Sequence, residues 1–166
     1  MKFFTVILFY SLFSQPISNV DRVRNKFPNI VSKDQADAFI MELKNDNSPE
    51  SKAYIAAMIF MKSRFVKFPF TKMKYFKEGK NLLDETILKN PENIEIRYIR
   101  FLMQKEIPSF LGYDKNINED FEVILNGVTI GRLNLDLKLK ILHNMLQVKD
   151  ITVMEENRLN QLIKRL

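Results

Sequence analysis

The sequence predicts an all-α protein built as a right-handed stack of antiparallel helix pairs, six or seven helices in one domain. Three observations carry that expectation. Apolar residues recur at three-and-four spacing through most of the chain, as on one face of a helix. Helix-starting signals, a small polar cap followed by proline, recur about 42 residues apart, at Ser48-Pro49-Glu50 and Asn90-Pro91-Glu92. The one stretch that also alternates like a strand, Leu133 to Ile141, is dominated by leucine and lysine with few β-branched residues, which is helix composition.

The first element in chain order is an address rather than a part of the fold. Met1 to Ser14 pairs Lys2 with an apolar run (Phe3, Phe4, Val6, Ile7, Leu8, Phe9, Tyr10, Leu12, Phe13) of about 11 residues, short of the roughly 20 that span a bilayer. The expectation is a signal peptide cleaved after Ser14, a periplasmic or secreted location, and no stable membrane insertion after cleavage. An uncleaved anchor or a buried first helix is the competing reading of the same run. Residues 15–31, with Pro16, Pro28 and no sustained period, read as an extended lead-in, and 32–166 as the single helical domain.

Ser32 caps a first helix carrying Ala36, Phe39, Ile40 and Leu43, ended by Asn45, Asp46 and Asn47. Ser48, with Pro49 at the first helical position, opens a second through Tyr54, Ala57, Met58 and Met61; its Ala53, Ala56 and Ala57 allow close packing. A third runs from about Phe70 to Lys89 with an inward stripe of Phe70, Met73, Phe76, Gly79, Leu83 and Ile87. Glycine inside a helix costs about 1 kcal/mol against alanine, so Gly79 marks a close backbone crossing. A fourth, capped by Asn90 with Pro91 at its first position, is apolar on most of its circumference and hence central, and stops before Pro108.

Aligning the two prolines sets Tyr54 against Ile96, Ala57 against Ile99 and Met61 against Met103. The segment 76–113, with FKEGKNLLDETI and NPENIEIRYIRFLMQKEIPSFLGY, resembles small exported proteins of the Bacteroidota, and its helix pairs resemble degenerate tetratricopeptide repeats. In that comparison Gly79 matches the small residue at the helix crossing, Leu83 a large apolar position and Pro91 the closing proline. The resemblance implies a tetratricopeptide-like α-solenoid and an exported location, and it brings no activity with it.

After Pro108 the apolar loop Phe110, Leu111 and Tyr113 is expected to pack back on the helices. A short helix follows from about Asn118 to Asn126, broken by Gly127 to Gly131. From Leu133 to Leu146 both an alternating and a helical pattern fit, and leucine and lysine composition favours the helix. Thr152 and Glu155 form a capping box for a last helix burying Met154, Leu159, Leu162, Ile163 and Leu166.

Composition limits function more than it names it. Forty-six per cent hydrophobic residues support one sizeable core, and no cysteine means no disulfide or thioether-linked lipid. A net charge of +6 is ordinary for a soluble domain and falls short of a dedicated nucleic-acid binder. No catalytic constellation, metal set or cofactor motif is found: His143 stands alone, and the neighbours Glu119 and Asp120 diverge by about 100° on a helix. The expectation is a non-enzymatic module with a protein or peptide partner.

Two surfaces are candidates. Asn93, Arg97, Arg100 and Gln104 fall within about a 60° sector of the fourth helix. Either these arginines pair with Glu119, Asp120 or Asp84 and fix the loop from Ile107 to Asn116, or they line a concave face and receive a carboxylate from a peptide or other anionic ligand. The alternative surface is basic: Lys72, Lys74, Lys77 and Lys80 on the third helix would adhere to anionic envelope polymers or lipid headgroups.

Overall fold

The computed structural model describes residues 18–166, and the expected leader Met1–Ser14 lies outside them. The described residues form eight helices and no strand: α1 (Asn19–Lys26), α2 (Lys33–Leu43), α3 (Pro49–Lys62), α4 (Pro69–Lys89), α5 (Ile94–Glu106), α6 (Ile117–Ile130), α7 (Leu135–Leu146) and α8 (Val153–Ile163). Short 3₁₀ turns occupy Ser63–Phe65 and Ser109–Leu111.

The helix in excess of the expected seven is α1, inside the segment 15–31 that sequence patterning assigns to an extended lead-in. It has eight residues and only two apolar ones, Val20 and Val23, too few for a recurring stripe to be read. Ser18 nevertheless caps it by accepting from the Asp21 backbone N–H, and Val20 and Val23 enter the core. Phe27 and Ile30 follow them inward, the Phe27 ring meeting Tyr54 and Tyr98 edge-on at centroid distances of 5.4 and 6.0 Å.

Ser32, Ser48 and Thr152 cap their helices as the sequence indicates, and Thr152 with Glu155 completes the reciprocal capping box. The start of α5 is different. Asn90 and Pro91 lie in a turn, and the cap is Asn93, whose Oδ1 accepts from the backbone N–H groups of Glu95 and Ile96. The second cap-and-proline signal therefore falls one turn early, and the alignment of α3 with α5 slips by three residues. Gly127 is also interior to α6, which continues to Ile130 instead of breaking there.

Packing centres on α3, α4 and α5. Ala53, Ala56 and Ala57 are fully buried on α3, and a Cβ at Gly79 would stand 2.9 Å from both the Ala56 carbonyl oxygen and the Phe60 ring. That is the close crossing the glycine signalled. The stripe on α4 is shorter than the sequence suggests: Gly79, Leu83 and Ile87 are buried and Phe76 packs on the core, whereas Phe70 is 92% exposed and Met73 faces solvent. The reason is rotational. Steps of three drift by about 60° each, so Phe70, nine residues before Gly79, points to the opposite side of the helix.

At the other turns, Tyr113 packs back as expected, stacked on Phe60 and edge-on to Phe76, while Phe110 is 84% exposed. Gly112 supplies the left-handed conformation (φ 63°) that brings the chain round between them. In α8 Leu159 is fully buried, Leu162 and Ile163 are partly covered and Met154 is exposed, as is Leu166 three residues past the helix end, against the expected burial of all five.

Candidate functional site

The arginine face of α5 is filled from within the chain. Asp120 on α6 has no exposed surface, and both its oxygens are used: Arg100 Nε donates to Oδ2 at 2.6 Å, Arg100 Nη2 to Oδ1 at 2.7 Å, and Arg97 Nη1 to Oδ1 at 2.9 Å. Arg97 Nη1 also donates to Glu119 Oε1 at 2.6 Å, and its Nε to the Pro91 carbonyl oxygen at 2.7 Å. Burial works to lower the Arg97 pKa, but the bonds it donates to Asp120 and Glu119 outweigh it and hold the guanidinium above its usual value. Glu119, bonded first by Arg97 and then by Asn116, is held below the ordinary carboxylate range.

The other members of that stripe are also internal. Asn93 caps α5, and its Nδ2 donates to Glu50 Oε1 at 2.6 Å, tying α5 to the first turn of α3. Gln104 is buried, and neither atom of its amide has a hydrogen-bond partner among the described residues. Asp84, the third carboxylate considered for the arginines, instead accepts from the Tyr113 hydroxyl at 2.7 Å. The structure brings Asn93, Arg97, Arg100 and Gln104 together on one face of α5, and that face meets protein.

A second charged network has no counterpart in the sequence patterning. Glu95, 2% exposed, accepts from Arg24 Nε at 2.6 Å and Nη2 at 2.7 Å, and from the Tyr54 hydroxyl at 2.8 Å. Arg24 Nη1 reaches Asp21 at 2.6 Å as well. Burial raises the Tyr54 hydroxyl pKa well above its usual value, with the Glu95 charge next in weight. The signal is a glutamate between Ile94 and Ile96 at the start of a helix whose surroundings are mostly buried, where a charge requires a cation beside it.

Catalytic geometry does not emerge from the carboxylates and the histidine. Asp120 and Glu119 share one guanidinium, and His143 is exposed with Nδ1 2.7 Å from the Leu139 carbonyl oxygen of its own helix. No group of three or more metal-ligating side chains is gathered among the described residues.

The basic surface lies on the outer side of α4. Lys72, Lys74 and Lys77 are exposed, and no carboxylate lies within ion-pair distance of them among the described residues; Lys80 is half-buried and paired with Asp84 at 2.8 Å. Around them stand Phe68, 74% exposed, Phe70 and Met73. Phe70, Met73, Lys74, Lys77 and Glu78 line a shallow, open groove. Phe70, Lys74 and Lys77 occupy a sector of about 60°, so the ring and the two ammonium groups face the same way. Lys72 lies on the far side of the helix.

This end of α4 overhangs its partner. Phe60 near the end of α3 meets Phe76, and Lys62 sits over the Tyr75 ring, so the first turn and a half of α4 runs past the last turn of α3. No protein-family model matches the chain, nor does any curated protein or solved structure compared with it.

Proposed function

We propose that the chain is an exported, non-enzymatic helical protein with tetratricopeptide-like stacking that adheres to an anionic surface of the cell envelope through the overhanging start of α4. One observation carries this: two strongly exposed phenylalanines, Phe68 and Phe70, stand at the start of the helix that carries Lys74 and Lys77 on the side of Phe70 and Lys72 on the other, and none of the three lysines has a carboxylate within ion-pair distance among the described residues. Exposed rings gain when they are covered, and the lysines beside them favour an anionic partner for that cover.

Support for the stacking is the direct contact of α3 with both α4 and α5, the arrangement expected when equivalent helices of successive pairs meet. Export rests on the pattern of Met1 to Ser14 and on the resemblance to exported Bacteroidota proteins. Peptide capture by Asn93, Arg97, Arg100 and Gln104 is set aside, because that face is already covered by α6 and the α3 terminus.

The test is retention of the full chain on an immobilised polyanion as salt is raised. Wild type should elute at a defined salt concentration, and Lys72→Glu/Lys74→Glu/Lys77→Glu should elute well before it with an unchanged melting curve. Equal elution of the two proteins would reject the proposal.

A further inference from the structure

The overhang carries a more specific occupant. Resting on the adhesion reading above, we infer that the surface it meets is an anionic lipid bilayer, with Phe70 and Phe68 entering the headgroup and acyl boundary while Lys74 and Lys77 hold lipid phosphates. The lysines alone would suit any polyanion. The rings distinguish the lipid: a soluble acidic polymer offers no apolar phase, whereas the interfacial zone of a bilayer accepts apolar groups to a depth of about 5–10 Å with cations at its rim.

Geometry matches that layering. Phe70 is 92% exposed at the second residue of α4, Phe68 is 74% exposed just before its first residue, and Met73 adds a third apolar side chain. Lys74 and Lys77 are one and two turns further along the same side of the helix, behind the ring rather than in front of it. Lys67, also exposed, adds a cation on the chain just before Phe68. Glu78 is the one carboxylate lining the groove, at its edge, against two lysines. Both rings already have most of their surface free, so they can enter an interface without first leaving a packed position. The contact is interfacial: no helix among the described residues is long and apolar enough to cross a membrane.

The chain contains no tryptophan, so Phe70→Trp places a single reporter at the proposed point of entry. The full chain is used throughout, which makes any contribution of Met1 to Ser14 common to every variant. Vesicles of phosphatidylglycerol and phosphatidylcholine, with brominated acyl chains for quenching, are titrated in parallel with an immobilised acidic polysaccharide. The expected result is quenching of the reporter by anionic vesicles and much weaker quenching by pure phosphatidylcholine. Phe70→Ser should weaken vesicle binding about tenfold or more and leave polysaccharide retention unchanged. Lys74→Glu/Lys77→Glu should weaken it by at least about twenty-fivefold, since one lysine near an anionic membrane is worth about fivefold. Lys72→Glu, on the far side, should cost less than either.

An unquenched reporter, or Phe70→Ser binding vesicles like wild type, overturns the lipid inference. If polysaccharide retention persists in that case, adhesion stands with an acidic polymer as its occupant. If neither vesicles nor polymer retain the protein, both readings fail.

Discussion

Replacing Asp120 by asparagine keeps the side chain's shape and removes its charge, and its surroundings set the consequence. Three guanidinium N–H groups point at its two oxygens from 2.6 to 2.9 Å, and the residue has no exposed surface. Whichever way the amide is turned, its NH₂ group faces a donor: Arg100 Nε in one orientation, Arg100 Nη2 and Arg97 Nη1 in the other. One or two charge-assisted bonds are lost, each worth about 1.5–3 kcal/mol, and two guanidinium groups are left buried with reduced compensation. Breaking one partner of a buried pair costs about 3–5 kcal/mol, a large share of the roughly 5–15 kcal/mol that holds a domain folded. At about 2–4 °C per kcal/mol for a chain of this length, the melting temperature should fall by roughly 10 °C or more. The assay is urea and thermal unfolding followed by circular dichroism. A companion variant, Arg97→Met/Arg100→Met/Asp120→Leu, removes the whole set and should lie within about 2 kcal/mol of wild type or above it, because desolvation of the ions disappears with their attraction. A loss below about 1 kcal/mol for Asp120→Asn would refute the reasoning.

Three further outcomes follow from the same structure. Gly79→Ala should destabilise by about 1–3 kcal/mol in urea unfolding, because its Cβ would meet the Ala56 carbonyl at 2.9 Å; a gain of about 1 kcal/mol, the helix-propensity result, would show that the crossing relaxes. Glu95→Gln should cost about 2–4 kcal/mol and raise protease sensitivity at α1, since Arg24 loses its buried counter-ion; unchanged cleavage would mean that Val20, Val23 and Phe27 suffice to hold α1. Acidification should destabilise the protein below about pH 4.5, the ordinary glutamate value. Glu119 is depressed by Arg97 first. For Glu155, burial pulls upward but is outweighed by the Thr152 backbone N–H and Lys105. Folded values below unfolded ones give stability that is complete above the unfolded pKa and lost as pH falls through the folded one. Melting curves from pH 7 to pH 3 check the direction, and Glu155→Gln should flatten part of the decline.

Features with a local cause are legible in the sequence. Ser32, Ser48 and the Thr152–Glu155 box act on backbone groups within a few residues, and all three cap as expected. Composition favours a helix over a strand from Leu135, and the helix forms. Gly79 is readable because a glycine on the apolar side of a helix gives up stability unless a neighbouring backbone takes the space. Pairing of the arginines with Glu119 and Asp120 is one of two open alternatives in the sequence, and it is the one the structure contains.

What escapes the sequence depends on distant partners or on competition between near-equal signals. Helix α1 gains its anchorage from Glu95, 71 positions away, which no local window contains. Asn90 and Asn93 are both good caps one turn apart, and the bond from Asn93 to Glu50 is a tertiary contribution that favours the later one. Phe70 and Met73 look like core on composition. Only the rotation of α4 and the end of α3 place them outside, and with them the surface proposed for binding.

Purely apolar helix faces can slide past one another by a turn at modest cost, since one leucine serves nearly as well as the next. Three guanidinium bonds converging on one carboxylate do not permit that slippage, so the union of α5 and α6 has a single setting. Asp120 is the member on which the setting depends: losing it strands two guanidinium groups in the interior, whereas losing Arg97 leaves the two bonds from Arg100 to Asp120 in place.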